Sequence, residues 1–300
     1  MLITIDDDFD LEKISNSGQA FRIRTYNDKT YRFLTNDHIL YIRKKDSVNS
    51  NHFDISMYCL GAGDELVTAP GNEWDTVWVP YFDLARSYRD IRKMVPADDS
   101  FLNKSADYGA GLRILKQDSW EMLITFIISQ RKNIPAIKES VEKICRAYGR
   151  HVTVPSGSSD TDFPAPATDE ELFLFPSAPE MSDATLEELK KCSLGYRDTY
   201  ILDAINRVNT GILDLSLLEG HDYDYIFNTL LEVRGVGAKV SNCICLFAYA
   251  CLSAAPVDTW IAKVIDKYYN GTNPFPRYGE VSGIMQQYIF YYAQTHKDDF

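Results

Sequence analysis

Lys239 and Asp258 are the two side chains whose types and spacing point most directly to covalent chemistry. Lys239 stands two residues after Gly235-Val236-Gly237, which separates two apolar runs of helical spacing in YIFNTLLEVRGVGAKVSNCICLFAYA. An amine in the first turn of a helix meets the positive end of the macrodipole, which favours its neutral form. A neutral amine is the nucleophile that imine chemistry at an electrophilic sugar carbon requires. Nineteen residues on, Pro256-Val257-Asp258-Thr259-Trp260 ends one apolar run and begins another. A carboxylate there could steady a developing oxocarbenium ion and handle protons. Each residue also has a plainer reading: a lysine that snorkels to solvent or touches a phosphate, and an aspartate that caps a helix.

The elements that must position this pair form a helix–hairpin–helix pattern. Gly235 and Gly237 permit a tight turn that leaves backbone N–H groups free at the start of the second helix, an anion site suited to a DNA phosphate, although glycine closes many ordinary helical corners. A central buried helix is expected in WEMLITFIISQ, followed after about four residues by another with Asn133 as N-cap and Pro135 in its first turn. Helical spacing extends through YFDLARSYRDIRKMV, DATLEELKKC, DTYILDAINRVNTG, KVSNCICLFAYACL and SGIMQQYIFYYAQ. Up to about residue 75 the pattern is strand-like, with Asn36-Asp37 as a turn. The expected fold is therefore α+β. An antiparallel β-rich domain over 1–112 precedes an all-α domain in two lobes over 113–300, with an exposed acidic linker near 154–172.

Composition excludes a disordered or collagenous chain, since 45% of residues are hydrophobic and 25% charged, with 16 Gly and 12 Pro. Six cysteines show neither metal-ligand spacing nor a secreted framework, and no basic leader or membrane-length apolar run is visible, so a cytoplasmic location and no membrane are expected. The net charge of −12 is awkward for a nucleic-acid binder, but 151–190 carries 9 acidic and 1 basic residue, two thirds of the excess. Residues 114–150 carry 7 basic and 4 acidic, so a local positive face survives.

The landmarks SGQAFR (Ser17 to Arg22), YFDL (Tyr81 to Leu84), QDSWEMLITFIISQ, LGYR (Leu194 to Arg197), VRGVGAKVSNCICL, PVD and GIMQQYIF (Gly283 to Phe290) resemble, in order, those of 8-oxoguanine DNA glycosylases in the helix–hairpin–helix superfamily. The resemblance covers nearly the whole chain. It implies a bifunctional base-excision repair enzyme, bacterial in type and working on the nucleoid. Such an enzyme flips the lesion out of duplex DNA, cuts its glycosidic bond and nicks the strand through an imine. Lys239 is the implied nucleophile and Asp258 its partner. No iron–sulfur cluster, other cofactor or metal is implied, and one site per chain suggests a monomer.

In the pocket, Gly18 matches the position whose main-chain carbonyl meets the N7–H that distinguishes 8-oxoguanine from guanine. Gln286 matches the residue on the Watson–Crick edge, Phe290 and Cys243 the two sides of the stack, and Pro256 a pocket wall. By position alone Phe290 and Cys243 read as core and Gln286 as a solvated helix residue. The implied DNA contacts are Asn133, Tyr196 as wedge, Arg197 on the estranged base, and the hairpin glycines Gly235 and Gly237. Two alternatives remain: a glycosylase for another damaged purine, or a non-catalytic hairpin module that binds DNA.

Three positions depart from the eukaryotic pattern: Arg131 replaces an asparagine that helps fill the vacated space, Ala136 replaces an arginine that reads the opposite cytosine, and Trp260 stands where many relatives have a histidine near the phosphate backbone. An indole N–H donates one hydrogen bond and brings no charge. The acidic stretch is expected to sit away from the DNA. Because Ala136 cannot donate a hydrogen bond from its side chain, excision measured opposite each of the four bases should show weak discrimination; an exclusive preference for cytosine overturns this.

Overall fold

Alternation in the strands decides how the N-terminal sheet is covered. The computed structural model describes residues 1–45, 51–157 and 164–300. Strands β1 (Leu2–Thr4), β2 (Arg24–Thr25), β3 (Thr30–Thr35), β4 (His38–Lys44), β5 (His52–Leu60) and β6 (Leu66–Thr68) form one antiparallel sheet in the order β1-β5-β4-β3-β2, with β6 also paired to β5. The tight β3–β4 turn has Asn36 at φ +47°. Phe33, Leu40, Ile42, Phe53 and Ile55 point to one face, where Trp74, Trp78, Tyr81 and Phe82 cover them. Leu34, Ile39 and Tyr41 point to the other. An apolar sheet face has to be covered.

The cover for that second face comes from the two ends of the acidic stretch, which narrows the expected linker to the loop between them, where residues 155–157 and 167–169 are exposed. Strands β7 (His151–Val154) and β8 (Glu170–Phe173) pair antiparallel, and Val152, Val154, Leu172 and Leu174 pack on Leu34, Ile39 and Tyr41. Glu170 anchors the join. Its carboxylate accepts from Arg24 at 2.7 Å and Tyr41 at 2.6 Å, and from Arg32 and Tyr26. Burial alone would raise its pKa, but Arg32 and the two hydroxyls hold it below the ordinary glutamate value. The middle of the expected linker, 158–163, lies outside the described residues.

The strand-like N-terminal region also contains a short helix, α1 (Leu11–Asn16), because Asp10 caps it by accepting from Glu12 and Lys13 N–H. The helix expected over YFDLARSYRDIRKMV is broken. A π-turn (Trp74–Trp78) runs into α2 (Val79–Tyr81), Asp83 adopts φ +51°, and Ser87 caps a separate α3 (Tyr88–Arg92). The carbonyls left open by the break are used by Arg113, which is 1% exposed and donates to Phe82, Asp83, Arg86 and Asp8 O and to the Asp7 carboxylate.

The remaining helices are α4 (Ser100–Tyr108), α5 (Ser119–Ser129), α6 (Ile134–Tyr148), α7 (Leu186–Lys191), α8 (Asp198–Asn209), α9 (Tyr223–Leu231), α10 (Ala238–Phe247), α11 (Thr259–Tyr268) and α12 (Ser282–Thr295). Their apolar sides merge into one buried cluster in which α5 is central. Helix α10 stops at Phe247, short of the expected run, and Ala250 takes φ +52° in the following turn. Among the described residues, no helix is long and apolar enough to cross a membrane.

Removing the Glu170 carboxylate leaves Arg32 buried without its anionic partner. Glu170→Ala should therefore cost about 3–5 kcal/mol in denaturant unfolding at neutral pH. Because the folded pKa is depressed, the wild-type contribution is present above the ordinary glutamate pKa and is lost as pH falls through the folded value. A variant as stable as wild type would refute the anchor.

Candidate active site and nucleic-acid interface

Two helix starts bring the amine and the carboxylate into one cavity. Gly237 is the N-cap of α10, extended at φ −104°, and no side chain caps its free N–H groups. Of the two hairpin glycines it is Gly235 that needs glycine's conformational freedom: it has φ +85°, and an added Cβ would lie 2.3 Å from the Tyr200 ring. Lys239, second residue of α10, is half-buried with its amine 5.3 Å from the centre of the Phe126 ring. Asp258 caps α11, accepting from Trp260 N–H at 3.0 Å and Ile261 N–H at 2.9 Å. Burial raises its pKa above the ordinary aspartate value, opposed by those N–H groups and by the charge of Lys239.

Lys239 and Asp258 line a cavity of about 960 Å³ together with Gly18, Phe21, Phe126, Arg131, Asn133, Gly237, Trp260 and Phe290. Of the residues singled out from sequence, Cys243, Pro256 and Gln286 sit behind this wall. Cys243 is 3% exposed. Burial pushes its thiol pKa up, while the Lys239 charge and a hydrogen bond donated by that amine pull it down. Gln286, expected to be solvated on position alone, is 2% exposed: its amide donates to Pro256 O at 2.9 Å and its oxygen accepts from Gln287 at 2.9 Å.

Gly18 reaches the cavity from the N-terminal part of the chain. Its φ is +75°, and a Cβ there would lie 3.1 Å from Phe290 Cε1. Buried Gln19 pins the loop to the helical part, its side chain donating to Arg113 O and accepting from Leu115 N–H, both at 2.8 Å, while Gln117 donates to Gln19 O at 2.9 Å.

Asn133 caps α6 by accepting from Ala136 N–H at 3.0 Å. Arg131 is exposed at φ +52°, a left-handed conformation that asparagine tolerates better than arginine. Tyr196 is 51% exposed, with the Arg197 guanidinium 4.4 Å from its ring centre. Arg197 itself is 5% exposed and serves the protein's own backbone, donating to Leu194 O at 3.0 Å and to Gln130 O. Gln130, which the sequence reading passed over, donates in turn to Gly235 O at 2.9 Å. One residue thus joins the end of α5 to the hairpin through its side-chain amide and to the Tyr196 segment through its backbone carbonyl. Its only sequence signal is its place at the end of the central-helix landmark.

A hairpin with an open helix start, an amine and a raised-pKa carboxylate in one deep cavity are the parts of a DNA glycosylase. Residues 1–123 match the family model described as 8-oxoguanine DNA glycosylase, N-terminal domain. A probable N-glycosylase/DNA lyase of Methanothermobacter thermautotrophicus is 31% identical over 230 residues, 71% of this chain and 72% of that one. The N-glycosylase/DNA lyase of Saccharomyces cerevisiae is 30% identical over 202 residues, 63% of this chain and 50% of its own length. The Clostridium acetobutylicum 8-oxoguanine glycosylase/lyase, solved with double-stranded DNA containing cytosine opposite 8-oxoG, superposes with TM-score 0.80 at 27% identity, over 99% of this chain and 98% of that one. The chain belongs to the 8-oxoguanine DNA glycosylase family of N-glycosylase/DNA lyases.

Asparagine at position 258 keeps an oxygen for the cap and removes the charge. Asp258→Asn should leave unfolding stability within about 1 kcal/mol yet lower single-turnover excision about a hundredfold or more. With wild type, excision should fall on the acid side at a pH above the ordinary aspartate range. Stability and activity falling together would reduce Asp258 to a cap.

Proposed function

We propose that this chain excises 8-oxoguanine from duplex DNA and then nicks the abasic strand. The observation that carries the reading is the convergence of Lys239, Asp258, Gly18 and Phe290 on one cavity beside an open helix start. The Lys239 amine bonds to C1′ as the bond from C1′ to the base nitrogen breaks, and the departing base takes a proton. Ring opening yields an imine, loss of a C2′ proton expels the 3′ phosphate, and water then hydrolyses the imine to free the amine. Asp258 in its carboxylate form steadies the cationic sugar.

Recognition is assigned to Gly18, whose carbonyl accepts from the lesion's N7–H. Guanine there sets two acceptors against each other, costing about 1–3 kcal/mol. Gln286 reads the Watson–Crick edge, which requires it to exchange its bond to Pro256 O for one to the base. Phe290 and Cys243 enclose the purine. On the DNA side, Tyr196 fills the gap left by flipping, with Arg197, Asn133 and Arg131 around it, and the starts of α10 and α11 meet the backbone through Gly235, Gly237 and Trp260. No described residue of 151–190 lines the cavity, in keeping with an acidic stretch held off the DNA. A division at 112/113 puts Gly18 and Lys239 on different units. The cavity is complete within one chain, which suits a monomer working on the bacterial nucleoid in the cytoplasm.

Borohydride trapping across a lesion panel tests the reading. Wild type should form a covalent adduct most readily with 8-oxoguanine duplex, and Lys239→Gln should bind that duplex without an adduct. An adduct that survives in Lys239→Gln, or stronger trapping on another purine lesion, would sink it.

A further inference from the structure

We propose that Lys263 supplies the positive charge that holds a backbone phosphate of the damaged strand at the cavity rim, with the Trp260 indole as its platform. The inference rests on reading the cavity as the lesion-DNA site. Trp260 is the second residue of α11 and lines the cavity beside Asp258 and Thr259. Lys263 lies one turn further along the same helix face, and its amine sits 4.6 Å from the centre of the Trp260 ring, within cation–π range. The side chain is exposed, and among the described residues no acidic group pairs with it, Asp266 one turn on included.

The rest of α11 makes Lys263 stand out. Lys267, one turn beyond, is already committed: its amine donates to Asp299 O at 2.6 Å and lies over the Tyr268 and Phe300 rings. Lys263 meets only an aromatic face, which restricts its rotamers while leaving its three N–H donors open to water or an anion. A nucleotide drawn into the cavity brings its flanking phosphates to the rim. In a chain of net charge −12, affinity for a polyanion must come from cations placed where phosphates lie. Trp260 brings a donor without charge, and Lys263 brings charge without fixed geometry. Stacked together they make a two-donor clamp that neither makes alone.

The test is equilibrium binding of full-length enzyme to an 8-oxoguanine duplex and to an undamaged duplex of the same sequence over a salt series. Lys263→Gln should weaken binding several-fold and make the slope of log K against log salt shallower by about 0.9, the signature of one lost phosphate contact. Lys263→Arg should restore the slope, and Lys267→Gln should leave it at the wild-type value. In a Trp260→Leu background the further loss from Lys263→Gln should shrink, whereas Trp260→Phe should preserve it. A slope unchanged in Lys263→Gln, or one shifted equally by Lys267→Gln, overturns the proposal. Excision by wild type in the same samples keeps the two readings apart. If no 8-oxoguanine is released, the lesion assignment fails, while the slope on undamaged duplex still decides the role of Lys263.

Discussion

An amine and a carboxylate at the starts of two different helices, facing one cavity, are the constraint on which the rest of the structure depends. Each helix start presents N–H groups toward the cavity, and at α11 Asp258 takes up two of them. Asp258 is bound into the α11 cap by two N–H groups while burial pulls its pKa upward. Lys239 is set against an aromatic face and a buried thiol on the cavity wall. A nucleophile and a cation-stabilising group need this proximity without forming a tight ion pair that would occupy both.

Holding that geometry requires segments far apart in the chain to be locked together, and side-chain amides do the locking. Gln19 fastens the Gly18 loop to the irregular segment around Leu115 that leads into α5, across nearly a hundred residues. Gln130 fastens the end of α5 to the hairpin at Gly235, while its backbone carbonyl receives Arg197. Gln19 is fully buried and Gln130 half-buried, so a displacement of the Gly18 loop leaves buried polar groups unpaired. Among the cationic residues that line the cavity, Arg131 and Lys297 remain exposed.

Charge is distributed to the same end. The acidic stretch that dominates the net charge is drawn onto the far face of the N-terminal sheet by Leu34, Ile39 and Tyr41, and is anchored there through Glu170. Among the described residues none of its carboxylates lines the cavity, whose walls carry Arg131, Lys132, Lys239 and Lys297 against Asp258. A chain acidic on average can in this way present a cationic opening to a polyanion.

Local signals in the sequence determined the helix–hairpin–helix, the cap at Asn133, the cap at Asp258, the β3–β4 turn and the central helix, because each depends on residues within a turn or two of one another. The ordered landmarks also marked half of the residues that line the cavity. What tertiary structure alone decided was the use of long-range partners. Arg113 collects carbonyls from a helix whose spacing looked unbroken, two strands at the ends of the acidic linker cover a sheet face, Gln286 is buried rather than solvated, and Arg197 is spent on its own backbone. Periodicity records which side of an element is apolar. It carries no information on which distant element covers that side or which buried polar group finds a partner, since those are settled by packing between segments that only the folded chain brings together.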